Sequence, residues 1–169
     1  MPFDSTVASK RVLGGEDFSL DWVNNHRVLA SKIATYVSYK QIDDKWSAQV
    51  IMKSNMPLST RGSVVTCVAM ILAGMGKQIN GELVNPSNLN QWLGSNRGYG
   101  DVDFVWESVK SNFGLTYVGK FTNVDELIAY YKKGNAVILA VYQGIHKVLM
   151  TGLDKSGNNL YVNDPGSRT

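Results

Sequence analysis

The sequence predicts an α+β domain with helices packed ahead of a C-terminal antiparallel sheet. Residues 63–76 are an apolar run closed by Gly74 and Gly76, the pattern of a buried helix. Further helix patterns with capping residues follow it. From Ala136 onward the pattern changes to strand-like runs separated by turn residues. Helices gathered first and strands last exclude the regular alternation of a doubly wound sheet.

Taken in order, Leu20, Trp22, Val23, Leu29, Ile33, Tyr36 and Val37 recur at mostly helical spacing, which predicts one amphipathic helix over residues 17–38, capped by Asp17 or Ser19. Composition shifts near Asp43, so residues 1–38 read as an N-terminal extension and 39–169 as the domain proper. SAQVIMK (residues 47–53) fits a short strand. The buried helix starts after Gly62, with Ser63 as a good N-cap residue. NPSNLNQWLG then places Asn85 as cap, Pro86 at the first helical position and Gly94 at the end. DFVWESVKSNF (residues 103–113) predicts another helix, closed by Gly114. In NVDELIAYYKKG, Asn123 caps, acids fill the first turn, and Lys132 and Lys133 complement the last. AVILAVY, IHKVLMTGL and NLYVND are the predicted strands. Gln143-Gly144 and the turn-rich residues 154–158 join them.

Composition narrows the function. A chain of 169 residues buries roughly 70% of its unfolded surface, so it needs neither disulfides nor a metal to fold. Seventeen Lys and Arg stand against fourteen Asp and Glu, and the basic residues are scattered, so nucleic-acid binding is not indicated. No apolar run reaches the ~20 residues of a membrane span. The N-terminus lacks the layout of a signal peptide. One cysteine, Cys67, rules out an internal disulfide and a multi-cysteine zinc site. The acids Asp43, Asp44, Asp101 and Asp103 lack the loop pattern of a calcium site.

The last hairpin brings chemistry together. Pairing around a turn near Ser156 puts Val148 opposite Asp164, which leaves His146 and Asp164 on one face, about 7–8 Å apart at the backbone. A histidine oriented by a carboxylate on the next strand is the base half of a catalytic triad. The same residues also fit a plain hairpin with a surface imidazole and an Asp-Pro-Gly turn. A nucleophile would sit best at the start of the buried helix, facing the positive end of its dipole and free backbone N–H groups. Ser63 occupies that position; its other reading is a simple cap. Cys67, one turn further on among valines, reads as core packing. Trp92, Trp106, Phe104 and Tyr99 either wall a cleft or belong to the core. His26 reads as a surface residue, and the Gly14-Gly15 pair as a flexible turn.

Several stretches together resemble a known family. These are YKQIDDKW (residues 39–46), GSVVTCVAMIL (62–72), NPSNLNQWL (85–93), Gly98-Tyr99, NAVILAVYQGIHKVLMTG (135–152) and VNDPG (162–166). In this order and spacing they resemble the papain-like cysteine peptidases of the bacteriocin-processing, double-glycine type. The resemblance implies a papain-like fold and thiol-dependent hydrolysis of a peptide or isopeptide bond without metal or organic cofactor. It implies His146 as general base, Asp164 as the residue that orients it, and Gln41 as side-chain donor of the oxyanion hole. Ser63 stands where the family has its nucleophilic cysteine. Such a site is expected to bind substrate without turning it over, since a serine hydroxyl is not held as alkoxide the way a cysteine is held as thiolate.

Two origins of Ser63 remain open: replacement of the cysteine to trap an inactive enzyme, or a natural non-catalytic relative. The expected partner is a peptide or protein substrate, including a cell-wall stem peptide. Alternatives are a peptide-binding pseudopeptidase, a Cys-His cell-wall amidase, and a structural virion domain with a vestigial cleft. In the resembled family more residues follow the Asp-Pro, so the chain reads as a domain trimmed from a longer phage or cell-surface protein.

Overall fold

A computed structural model describes residues 12–13, 36–100, 104–121, 123–155 and 159–167. The chain runs β1 (Val12–Leu13), β2 (Val50–Ile51), β3 (Met56–Pro57), α1 (Leu58–Arg61), α2 (Ser63–Gly74), β4 (Gln78–Ile79) and β5 (Glu82–Leu83). It continues through α3 (Pro86–Ser95), α4 (Trp106–Phe113), α5 (Val124–Lys132), β6 (Ile138–Val141), β7 (His146–Leu153) and β8 (Leu160–Asn163). The main sheet has the order β1-β8-β7-β6. β7 lies antiparallel to both neighbours, and β1 parallel to β8. This is the α+β architecture that the sequence predicts.

The sheet is covered on two faces, which explains its unbroken apolar strands. Ile138 and Leu149 pack with α2, α3 and α4 through Cys67, Leu72, Leu89, Leu93 and Val109. Their neighbours Leu139, Val148 and Met150 turn the other way, onto Leu127, Ile128 and Tyr131 of α5. All four residues of β6 are buried, as expected of a strand with no solvent face.

Helix α2 is apolar nearly all round because it is enclosed, with every residue from Val65 to Ala73 buried. It ends where Gly76, at φ 74°, reverses the chain and lets the Lys77 N–H reach the Leu72 carbonyl at 2.9 Å. Asn80 and Gly81, both at positive φ, then close the β4–β5 hairpin. Helix α3 starts on a full capping box: Asn85 Oδ1 accepts from the Asn88 N–H, and Asn88 Oδ1 from the Asn85 N–H. Asn123 caps α5 by accepting from Asp125 and Glu126.

Several expected boundaries move. Helix α4 begins at Trp106 rather than Asp103, because Phe104 pairs with Tyr99 and the Val105 N–H bonds the Gly98 carbonyl at 2.8 Å. The strand expected over 47–53 is only Val50–Ile51, since Lys53 and Asn55 take positive φ and fold the chain back onto Met56–Pro57. Ser63 is the first residue of α2 and Gly62 its cap, with no side-chain cap bond, so the capping role expected of Ser63 is not used. Of the helix expected over 17–38, Tyr36, Val37 and Ser38 are irregular and the remainder lies outside the described residues, as do its caps, Gly14-Gly15, His26, Asp101 and Asp103. No helix among the described residues is long and apolar enough to cross a membrane.

Candidate active site

Strand register brings His146 and Asp164 together. Leu149 lies opposite Asn163 and Met150 opposite Val162, the register expected from the turn. An irregularity between Met150 and Gly152 shifts the pairing only at the far end of the hairpin. His146 opens β7 opposite Val141, after a tight turn in which Tyr142 and Gln143 take φ of 50° and 56°. Lys147 steadies that turn by bonding the Gly144 carbonyl through Nζ. Asp164 follows the last residue of β8.

The side chains meet directly: His146 Nε2 lies 2.6 Å from Asp164 Oδ1. The same oxygen accepts the Gly166 N–H at 2.8 Å. The Asp164 side chain is 2% exposed and that of His146 17%, so the pair is buried on the acid side and open on the imidazole side. Burial alone would raise the Asp164 pKa. The hydrogen bonds from His146 and Gly166, with the charges of His146 and Lys40, outweigh it and hold the acid below its ordinary value. An ionised carboxylate only accepts, so Nε2 carries the proton in this bond. In the neutral ring that leaves Nδ1 as the acceptor.

Two segments lock the pair against the helical layer. At the end of β8, Asn163 Nδ2 reaches Met70 Sδ of α2 at 3.7 Å. On the other side, the Gln41 N–H donates to the Pro165 carbonyl at 2.9 Å, and Lys40 Nζ to the Asp164 carbonyl at 2.8 Å. Gln41 is buried and also donates through Nε2 to the carbonyls of Leu58, at 3.2 Å, and Ser59, at 3.0 Å. It therefore ties the Asp164–Pro165 turn to the segment that enters α2. Its Oε1 is buried and has no hydrogen-bond partner among the described residues.

Ser63 is buried at the start of α2. The first intrahelical bond runs from the Thr66 N–H to the Gly62 carbonyl at 2.9 Å, which leaves the amides of Ser63, Val64 and Val65 without partners inside the helix. Gly62 is required by space, because a Cβ there would lie 2.4 Å from the Leu58 carbonyl oxygen. Among the described residues the Ser63 hydroxyl forms no hydrogen bond with His146.

The remaining candidates sort into packing. Cys67 is fully buried; burial, and next the nearby Asp164 carboxylate, push its pKa well above that of an ordinary thiol, while Lys147 acts in the opposite sense. Tyr99 is buried and donates to Asn90 Oδ1 at 2.7 Å. Trp92 packs edge-on against Phe113, while Trp106 lies tilted against Phe104 and stacks on Tyr117. A groove of about 290 Å³ lined by Gln49, Val50, Met52, Asn90, Gln91 and Gly94 holds none of the candidates. Sequence reasoning passed over Lys40 and Gly166: a lysine before a glutamine carries no signal, and Asp-Pro-Gly reads as a turn.

Helices lead into a mainly antiparallel sheet, and an imidazole–carboxylate pair forms at the ends of β7 and β8, an α+β layout consistent with a papain-like fold. The family model of the Peptidase_C39 like family matches residues 33–169, and the chain belongs to that family. No curated protein and no solved structure matches the chain.

Proposed function

We propose that the domain is built for thiol-dependent hydrolysis of a peptide bond through an acyl-enzyme, and that Ser63 in the nucleophile position leaves this form able to bind but not to turn over. The single observation that carries the reading is the 2.6 Å bond between His146 Nε2 and the buried Asp164 carboxylate. It holds the proton on Nε2 and leaves Nδ1 to act as base.

With cysteine at position 63, the thiol gives its proton to His146 Nδ1, and the resulting thiolate attacks the scissile carbonyl carbon. The tetrahedral oxyanion is received by backbone N–H groups at the start of α2. His146 then protonates the leaving amine, the thioester forms, and water deprotonated by the same imidazole releases the acid. Asp164 keeps ring orientation and tautomer fixed throughout. Gln41 fits the oxyanion role less directly. Its Nε2 donates to Leu58 and Ser59, so service to the substrate oxygen requires the amide to turn away from them.

Serine at this position needs its proton removed during attack, in a site shaped for a thiolate. The alternative reading, a peptide-binding relative that never used a thiol, rests on Ser63 itself. Both readings meet one experiment. Ser63→Cys should be alkylated at pH 7 about 10-fold faster than an ordinary exposed thiol, because a lowered pKa makes most of it thiolate. His146→Ala should remove that gain. A cysteine at position 63 reacting no faster than a free thiol, or indifferent to His146→Ala, rejects the peptidase reading in favour of binding.

A further inference from the structure

Lys40 stands out among the residues around the pair. Its ammonium lies on the Asp164 main-chain carbonyl, and its own carbonyl accepts Trp46 Nε1 at 2.6 Å. Trp46 is buried and packs edge-on against Tyr39, with ring centroids 5.8 Å apart, so Lys40 is held at both ends. The next residue, Gln41, gives its N–H to the Pro165 carbonyl. Two consecutive residues thus grip two consecutive carbonyls, and they do so on the turn that aims the Asp164 carboxylate. The Ser167 N–H returns to the Asp164 carbonyl at 3.3 Å, so Lys40 completes the bonding of a turn that its own backbone leaves loose.

We propose that Lys40 is a positioning residue: by gripping the Asp164 main-chain carbonyl it clamps the Asp164–Pro165 turn so that Oδ1 meets His146 Nε2. This deepens the reading of His146 and Asp164 as base and orienting partner. It is tested on the bond between them, so it fails or holds independently of what position 63 can do.

Burial lowers the Lys40 pKa while Asp164 raises it, and the ammonium in turn helps hold the Asp164 carboxyl down. Among the described residues, the other titratable groups at Asp164 are His146 from β7 and the neutral thiol of Cys67 from α2, with Lys147 beyond that thiol. Lys40 is therefore the lysine whose loss acts on the carboxylate directly. A lysine ammonium on a main-chain oxygen also brings charge without competing for the carboxylate oxygen that His146 needs.

The full chain serves for the test. A downfield imidazole N–H proton resonance reports the bond to Asp164, and with two histidines in the chain His146→Ala assigns it. Lys40→Met should abolish this resonance, and its loss of stability relative to the parent, read from urea midpoints, should be largest near neutral pH and shrink as pH falls through the carboxylate range. Lys40→Arg should keep the resonance and show no such loss. A merely structural role would lower stability by the same amount at every pH. Lys40→Met that folds, keeps the resonance and shows a loss independent of pH overturns the proposal. If Lys40→Met does not fold, Lys40→Gln keeps a donor for the carbonyl without the charge, and the pH dependence of its loss decides alone: shrinking in acid in support, constant in refutation.

Discussion

Gly166 lies so close to His146 that a Cβ on it would stand 3.0 Å from Cε1 and 3.2 Å from Nε2 of the ring. The same atom would be 3.5 Å from Asp164 Oδ1. Gly166 therefore does two things for the pair: its N–H binds the carboxylate, and its missing side chain leaves room for the ring. Gly166→Ala should cost about 1 kcal/mol of stability by overpacking. In the Ser63→Cys protein it should cost 10-fold or more in thiol alkylation rate, because the imidazole must shift by tenths of an ångström. Alkylation kinetics beside urea unfolding separate the two effects.

Acid should attack the fold through Asp164. Its folded pKa lies below the ordinary value, so its contribution to stability is complete above that ordinary value and is lost as pH falls through the folded one. Urea midpoints measured downward from about pH 5 should therefore fall less steeply in Asp164→Asn than in the parent. Parallel slopes would show that the carboxylate gains nothing from His146 and Gly166.

Gly62→Ala should be among the harshest single changes in the chain. Gly62 joins α1 to α2, and the added Cβ would meet the carbonyl oxygen and Cα of Leu58, backbone atoms of the first residue of α1, at 2.4 and 2.9 Å. A loss of about 2–3 kcal/mol or more is expected in thermal or urea unfolding.

Cys67 should be silent. A fully buried thiol with a raised pKa reacts only when the fold opens, so its alkylation rate in the native protein should track global unfolding and fall with any stabilising condition. Rapid labelling of the parent protein at neutral pH would contradict the packing. Silence makes the parent the natural blank for the Ser63→Cys experiment.

The capping box of α3 offers a local check. Asn85→Ala removes the acceptor for the Asn88 N–H and should cost about 1 kcal/mol, read from the urea midpoint.

Local signals were the most legible part of the chain. Asn85-Pro86, Asn123 and Gly114 fix helix ends by hydrogen bonds and sterics acting over a few residues, and those ends fall where the sequence puts them. The β7–β8 register was readable because alternation and turn length leave little freedom near His146. The β4–β5 hairpin was missed although Asn80-Gly81 is a strong turn signal, since two-residue strands show no periodicity. The early start assigned to α4 failed because Phe104 is drawn into pairing with Tyr99, a tertiary choice invisible to helix spacing. At the site, residue types named His146 and Asp164. The roles of Lys40 and Gly166 come from main-chain oxygens and empty space, which side-chain identity does not encode.

Lys40 and Asp164 meet across 124 positions of chain. Closing so wide a span carries a large entropic cost before any contact rewards it, and non-local closures slow folding. The clasp is thus expected to shut late, once α2 and the β7–β8 hairpin offer it a surface. Until then the imidazole has no fixed orientation, and a half-assembled molecule lacks the aligned His146–Asp164 pair.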